Sequence, residues 1–186
     1  MVGLERGTVE LVAYDEGWRR AFETEAERLR DAVGERVATI EHVGSTAIEG
    51  MVAKPIVDVL LVTDTLDGDE AWWIDRLEAS GYAFRPNDPV SDRLFFAKGP
   101  EDDRTHYVSV TERGSDTHRE QLLFRDYLRA NPAKADEYAQ LKRELAADYP
   151  DDRSAYTERK SRFVRSVLQS AREEAESPNE ANTREP

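Results

Sequence analysis

The chain has 186 residues, a net charge of -13 and no cysteine. That length suffices for one full core, and the missing thiols exclude a disulfide framework, a thiolate metal site and a cysteine nucleophile. The acidic balance argues against general nucleic-acid binding, because neutralising a phosphate backbone takes basic surface.

The first ten residues, MVGLERGTVE, hold no apolar stretch of the signal-peptide kind, and no apolar run nears the ~18 residues of a membrane span. A soluble, cytoplasmic protein without membrane association is expected. Lysine is scarce (Lys54, Lys98, Lys134, Lys142, Lys160) and arginine carries most of the positive charge. An acidic, lysine-poor surface is a halophile-like signature; a high-GC codon bias would give the same composition.

In chain order, Thr8 to Val12 alternates polar and apolar and reads as an edge strand. Asp15 is an N-cap for a helix to about Val33, with Trp18, Phe22, Leu29 and Val33 on its buried face and Glu23, Glu27, Arg30 and Asp31 on its solvated one. Ala38 to Val43 is a strand, Gly44-Ser45 a sharp turn into a short helical segment, and Ile56 to Val62 a second strand. A helix from Asp69 to Ser80 buries Trp73, Ile74 and Leu77, and Tyr82 to Arg85 is a short strand. RPNDPVSD (Arg85 to Asp92) is a loop long enough to border a site. Arg93 to Lys98 and Thr105 to Val110 read as a hairpin. Three helices follow: His118 to Ala130 with Leu122, Phe124 and Leu128 inward, one from an Asn131 N-cap with Pro132 at its first position to about Asp148, and Arg153 to about Arg172. Residues 1-172 are expected to form one α/β (α+β) domain, a mixed β-sheet packed by helices with a helical C-terminal third. Residues 173-186 are expected to be an acidic disordered tail.

The stretch ATIEHVGSTAIEGMVAKPIVDVLLV (Ala38 to Val62) organises this reading. Its second strand is apolar on both faces except for Asp58, and a bare buried carboxylate costs several kcal/mol. Asp58 must therefore be paired, coordinated or open to a cleft. The candidate structural partners are Lys54, Arg104 and His106. A strand ending in Gly-Ser suits anions: the glycine admits close backbone approach, and Ser45 and Thr46 bring hydroxyls and amides. Thirteen residues later Asp58 adds a metal-binding acid. Lys54, Arg93, Lys98 and Arg104 form a candidate phosphate clamp, with hairpin ion pairs to Glu101, Asp102 and Asp103 as the alternative. His42 and His106 flank strand ends, where they are structural or, with Asp58, a small metal or hydrolytic site. Phe95, Phe96, Tyr107, Phe124 and Tyr127 alternate at core spacing, with base stacking as the alternative. Lys142, near Tyr138 and Leu141, is an outlying candidate for phosphate.

The blocks EHVGSTAIEGMVAKPIVDVLL, RLFFAKG, RTHYVSV, LLFRDYLRANPAKADEYAQLK and YTERKSRFV together resemble the GrpB family (UPF0157), from about Val9 to Leu168. That resemblance implies the nucleotidyltransferase fold, and binding of a nucleotide or another phosphorylated small molecule. It further implies Mg-dependent nucleotidyl or phosphoryl transfer as the activity if the protein is an enzyme; the alternative is a non-catalytic ligand-binding or scaffolding module. The family motif falls on His42, Gly44, Ser45, Lys54, Asp58, Arg93, Lys98, Arg104 and His106. Asp58 would then hold metal or act as base, with His106 as a second catalytic group. Two departures stand out. Leu60 occupies the place of a second acid in the Asp-x-Asp pattern that holds two Mg ions. His106-Tyr107-Val108-Ser109 stands where the family commonly shows a His-His-x-His-like run.

Overall fold

The structure, a computed structural model, describes residues 2-5, 8-66, 68-150 and 152-176. Five strands form one mixed sheet: β1 (Thr39–Val43), β2 (Val57–Thr63), β3 (Tyr82–Phe84), β4 (Arg93–Lys98) and β5 (His106–Glu112). Their spatial order is β1-β2-β5-β4-β3, with β2 and β5 parallel and all other neighbours antiparallel. The helices are α1 (Gly17–Val33), α2 (Glu70–Ala79), α3 (Asp116–Ala130), α4 (Pro132–Asp148) and α5 (Arg153–Glu176). This is the mixed-sheet α+β architecture expected from the sequence.

Side-chain alternation along the strands sorts the residues between two faces. Val57, Val59 and Leu61 of β2 join Phe96, Val108 and Val110 in the main core, which Trp18 and Leu29 of α1 and Trp73 and Leu77 of α2 complete. Burying each such Leu or Phe contributes roughly 1.5–3 kcal/mol. On the opposite face, Leu60 and Val62 form a small cluster with Val43 and with Leu122 of α3. The three C-terminal helices pack around Ile48, Met51, Val52, Leu128, Tyr138 and Val167. They thereby enclose the segment between β1 and β2 and raise a wall beside the Asp58 end of this second face. No helix among the described residues is long and apolar enough to cross a membrane.

Several local expectations are corrected. Thr8 to Val12 is no strand: Val9 packs with Leu145 and Tyr156, and Val12 alone bridges Ala53. The N-cap of α1 is Glu16, which makes no side-chain cap, and Asp15 stands one residue earlier, accepting the Gly17 amide at 2.7 Å. α3 begins before His118, because the Ser115 hydroxyl accepts the His118 amide at 3.0 Å and caps the helix there. Asn131 makes no side-chain cap for α4; its amide donates back to the Tyr127 carbonyl at 3.0 Å. α5 continues through Glu173 to Glu176, into the stretch read as a tail, and residues 177-186 lie outside the described residues.

Candidate ligand-binding site

The site begins at the turn that leaves β1. Gly44 has φ 70° and ψ -170°, and a Cβ at this position would run into the Asp58 carboxylate. Left-handed backbone and close approach both demand glycine. Ser45–Ala47 then makes a single 3-10 turn. Two arginines of α3 fix its backbone: Arg125 donates to the His42 carbonyl at 3.0 Å, and Arg129 to the Ala47 carbonyl at 2.7 and 3.1 Å.

Asp58 sits opposite Val43 on one side and Tyr107 on the other. Its carboxylate opens on a cavity of about 160 Å³ bounded by Ser45, Thr46, Lys54, Tyr107, Lys142 and Lys160, with Tyr156 on the α5 side. Lys142 is 2% exposed. Its Nζ donates to Ser45 Oγ at 3.0 Å and to the Val52 carbonyl, 4.5 Å from the centre of the Tyr138 ring. Lys54 Nζ donates to the Thr8 carbonyl at 3.2 Å and lies 5.0 Å from the Tyr156 ring centre. Lys160 stands 5.9 Å over the same ring.

Burial dominates the protonation of both central groups. It raises the Asp58 carboxyl to about 6, against the downward pull of Lys160, Arg93 and Lys54. It lowers the Lys142 ammonium to about 7, and repulsion from Lys160 and Arg143 adds to the shift. Asp58 has no ion-pair partner among the described residues. A carboxyl near 6 beside an amine near 7 can exchange protons with a ligand around neutrality.

Of the residues singled out from the sequence, Gly44, Ser45, Thr46, Lys54 and Asp58 come together. His42, Lys98 and His106 are on the other side of the sheet. His42 pairs with Val59, which faces the main core. It stacks on Phe22 at 4.7 Å between ring centres, with Nε2 2.9 Å from Thr46 Oγ1; burial, Arg129 and Arg125 hold it down at about 4. His106 pairs with Val57 and Lys98 in register, so it too points away from Asp58. Lys98 donates to both oxygens of Glu25 at 2.7 and 2.6 Å. A hydrolytic trio of His42, His106 and Asp58 is therefore ruled out by strand parity. The same parity dissolves the four-cation clamp, since Arg93 and Lys98 are an odd number of residues apart on one strand. Arg93 does share the Asp58 face, but Asp88 takes it in two hydrogen bonds of 2.6 and 3.0 Å. Arg104 donates to the Gly99 carbonyl and lies 3.7 Å from Glu101.

Lys160 and Tyr156 are absent from the sequence reading of the site, and Lys142 enters it only as an outlying candidate. One signal was present for Lys142: it stands four residues after Tyr138 and three before Leu145, on the buried stripe of α4. A lysine at core spacing needs a reason to be there.

The donor set does not fit a pair of metal ions. Leu60, at the second-acid position, is 0% exposed and covered by Leu122. On β5, Tyr107 is opposite Asp58 and Ser109 opposite Leu60, so the histidines of a His-His-x-His run would fall on this face where tyrosine and serine now stand. Among the described residues no three His, Cys, Asp or Glu side chains gather as a metal site.

Comparison with known proteins places these features in a family. Residues 8–170 match the family described as GrpB protein. The glutamate-rich protein GrpB of Alkalihalophilus pseudofirmus is 39% identical over 171 residues, covering 90% of this chain and 98% of that protein. UPF0157 protein YqkA of Bacillus subtilis is 37% identical over 174 residues, 94% of this chain but 50% of the relative, so the chain spans half of that relative's length. The crystal structure of conserved protein GrpB from Enterococcus faecalis superposes with a TM-score of 0.82 at 31% identity, covering 90% of this chain and all (100%) of that one. Cid1 poly(U) polymerase, solved with MgATP, superposes with a TM-score of 0.51 at 12% identity over 73% of this chain and 44% of its own; at that distance the likeness concerns the fold alone. Motif, family match and superposition agree: the chain belongs to the GrpB (UPF0157) family and has the nucleotidyltransferase-like fold.

Proposed function

We propose that the protein binds a phosphorylated small molecule of the nucleotide class in the cavity between the Gly44-Ser45-Thr46 turn, Asp58 and the helices α4 and α5. In this reading lysines hold the phosphate. The carrying observation is the placement of charge. Three of the chain's five lysines, Lys54, Lys142 and Lys160, border a cavity in which Asp58 is the one acid among the described residues. On a protein of net charge -13 the surrounding field opposes such a gathering. Ser45 Oγ accepts from Lys142, which ties the hydroxyl of the turn to the lysine that would hold the phosphate. Each charge-assisted hydrogen bond contributes roughly 1.5–3 kcal/mol.

A second reading, Mg-dependent nucleotidyl or phosphoryl transfer, draws support from Asp58 opening on the same cavity as the turn. One ion held by Asp58 and the ligand's own phosphates is within reach of this donor set, and it would neutralise charge on the phosphates. Isothermal titration with a nucleoside diphosphate in EDTA, and again with excess Mg, separates the two. With lysines as anchors, binding survives EDTA, weakens about tenfold or more in Lys142→Met, and strengthens in Asp58→Asn because a like charge is removed. With Mg as the anchor, binding needs the ion and is lost in Asp58→Asn. No binding under either condition would overturn both readings.

A further inference from the structure

A second cavity, of about 310 Å³, lies on the same face of the sheet and shares Tyr107 with the lysine-lined one. We propose that it takes the planar aromatic part of the ligand whose phosphate sits among the lysines, so that the full site accepts a nucleoside monophosphate lying across β5. This deepens the phosphate-binding reading and rests on it.

Register sets the geometry. Tyr107 stands directly opposite Asp58 of β2 and opposite Ala97 of β4, while Phe95 stands opposite Ser109. The floor of the second cavity is thus one to two strand spacings from Asp58, about 5 to 10 Å. That is the separation a short link such as a ribose provides between a phosphate and a ring.

The sequence reading of Phe95 and Tyr107 as core is wrong, which is what makes them available. Phe96 fills the main core, and Phe124 and Tyr127 pack among the C-terminal helices, but Phe95 and Tyr107 belong to none of the buried clusters of the described residues. Their rings lie 5.3 Å apart at 43°, both half-buried on the side of the sheet where Leu122 of α3 covers only the Leu60 and Val62 end. Arg93 is held 4.7 Å over the outer ring, Phe95, and Asp88 keeps it there at 2.6 and 3.0 Å. The Pro86–Pro89 loop forms the facing wall, with Asn87 as a group able to donate and accept at a ring edge, and buried Arg104 closes the end. Preset rings with one face toward a cavity and polar groups at its margin are what recognition of a flat heteroaromatic ring requires. The pair packs on itself and under Arg93 rather than into any of the buried clusters of the described residues.

The test measures binding of ribose 5-phosphate, the four common nucleoside 5′-monophosphates and the corresponding nucleosides by isothermal titration in EDTA. The proteins are the full chain and its Tyr107→Ala, Tyr107→Phe and Phe95→Ala variants, with melting curves checking the fold. The proposal expects at least one nucleoside monophosphate to bind about tenfold or more tightly than ribose 5-phosphate. Phe95→Ala, a residue that lines the second cavity and not the lysine-lined one, should erase that advantage while leaving ribose 5-phosphate affinity and melting unchanged; Tyr107→Ala should also erase it, and Tyr107→Phe should keep it. Equal affinity for ribose 5-phosphate and every monophosphate would overturn the aromatic site and leave the phosphate reading standing. An advantage untouched by Tyr107→Ala and Phe95→Ala would also overturn it, and would move the ring to the larger cavity on the other side of Thr46, beside Tyr14 and Phe22. If no phosphate compound binds, the phosphate reading falls and this proposal with it.

Discussion

Each face of the sheet carries a buried acid, a lysine and a tyrosine, and the two faces use them in opposite ways. Beneath α1, Glu25 is 4% exposed and accepts Lys98 at 2.7 and 2.6 Å and the Tyr82 hydroxyl at 2.9 Å. Burial would raise its carboxyl, yet the hydrogen bonds from Lys98 and Tyr82 outweigh that and hold it below its usual value. On the other face burial wins. Asp58 rises to about 6 and Lys142 falls to about 7, with no ion pair between them. The first group is complete in itself, whereas the second has hydrogen bonds from Lys142 but no counter-charge, and gains one when a ligand arrives. Residue types alone do not separate structure from function here; completeness of pairing does.

The contrast can be broken most forcefully by removing one partner on each side. Lys98→Met should destabilise the protein by about 3 kcal/mol, because it leaves the buried Glu25 carboxylate with only the Tyr82 hydroxyl and the largely exposed Arg28, 3.2 Å away. Lys142→Met should cost about 1 kcal/mol, since the Val52 carbonyl and Ser45 Oγ lose a donor but a desolvated ammonium is deleted and no buried acid is left unpaired. Urea midpoints check both, and equal losses would erase the distinction between the faces.

The next effect is pH-dependent. The folded Asp58 carboxyl, at about 6, lies above its unfolded value near 3.8. Below both values it is neutral in either state and contributes no difference. As pH rises through 6 the native state must ionise a desolvated group, and stability is lost. Asp58→Asn should therefore raise stability by about 3 kcal/mol at pH 8 and change nothing near pH 3. A gain of equal size at both pH values would mean that the acid is not desolvated as described.

A third variant sharpens the metal question. Tyr107→His with Ser109→His puts two imidazoles beside Asp58 on the same face. The double variant should gain a Zn-dependent rise in unfolding free energy, about 2.7 kcal/mol at an excess near 100 Kd, which the parent lacks. A parent that shows the same rise would mean that it already holds a metal site.

The turn and its acid were legible in the sequence because each breaks a local rule: glycine where the backbone must turn left-handed against Asp58, and one acid in an apolar strand. The helices α1, α2 and α3 were legible for their periodic apolar stripes, and α4 for Pro132 at its first position. Face assignment on β4 and β5 was not, because it depends on register, and one residue of slip reverses it. That is why Lys98 and His106 were grouped with Asp58 although they point to the core. Lys160 and Tyr156 depend on how α5 docks, which no local pattern encodes. Phe95 and Tyr107 alternate as core residues do, yet α3 covers only part of the face they occupy.

The most direct measurement is the affinity of a nucleoside monophosphate in EDTA between pH 8.5 and 6.5, a range over which the phosphate stays largely dianionic. Lysines holding the phosphate predict binding without metal that tightens as pH falls and Lys142 takes up its proton near 7, with that pH dependence gone in Lys142→Met. Affinity that requires added Mg, or that strengthens as pH rises from 6.5 to 8.5, would contradict the account.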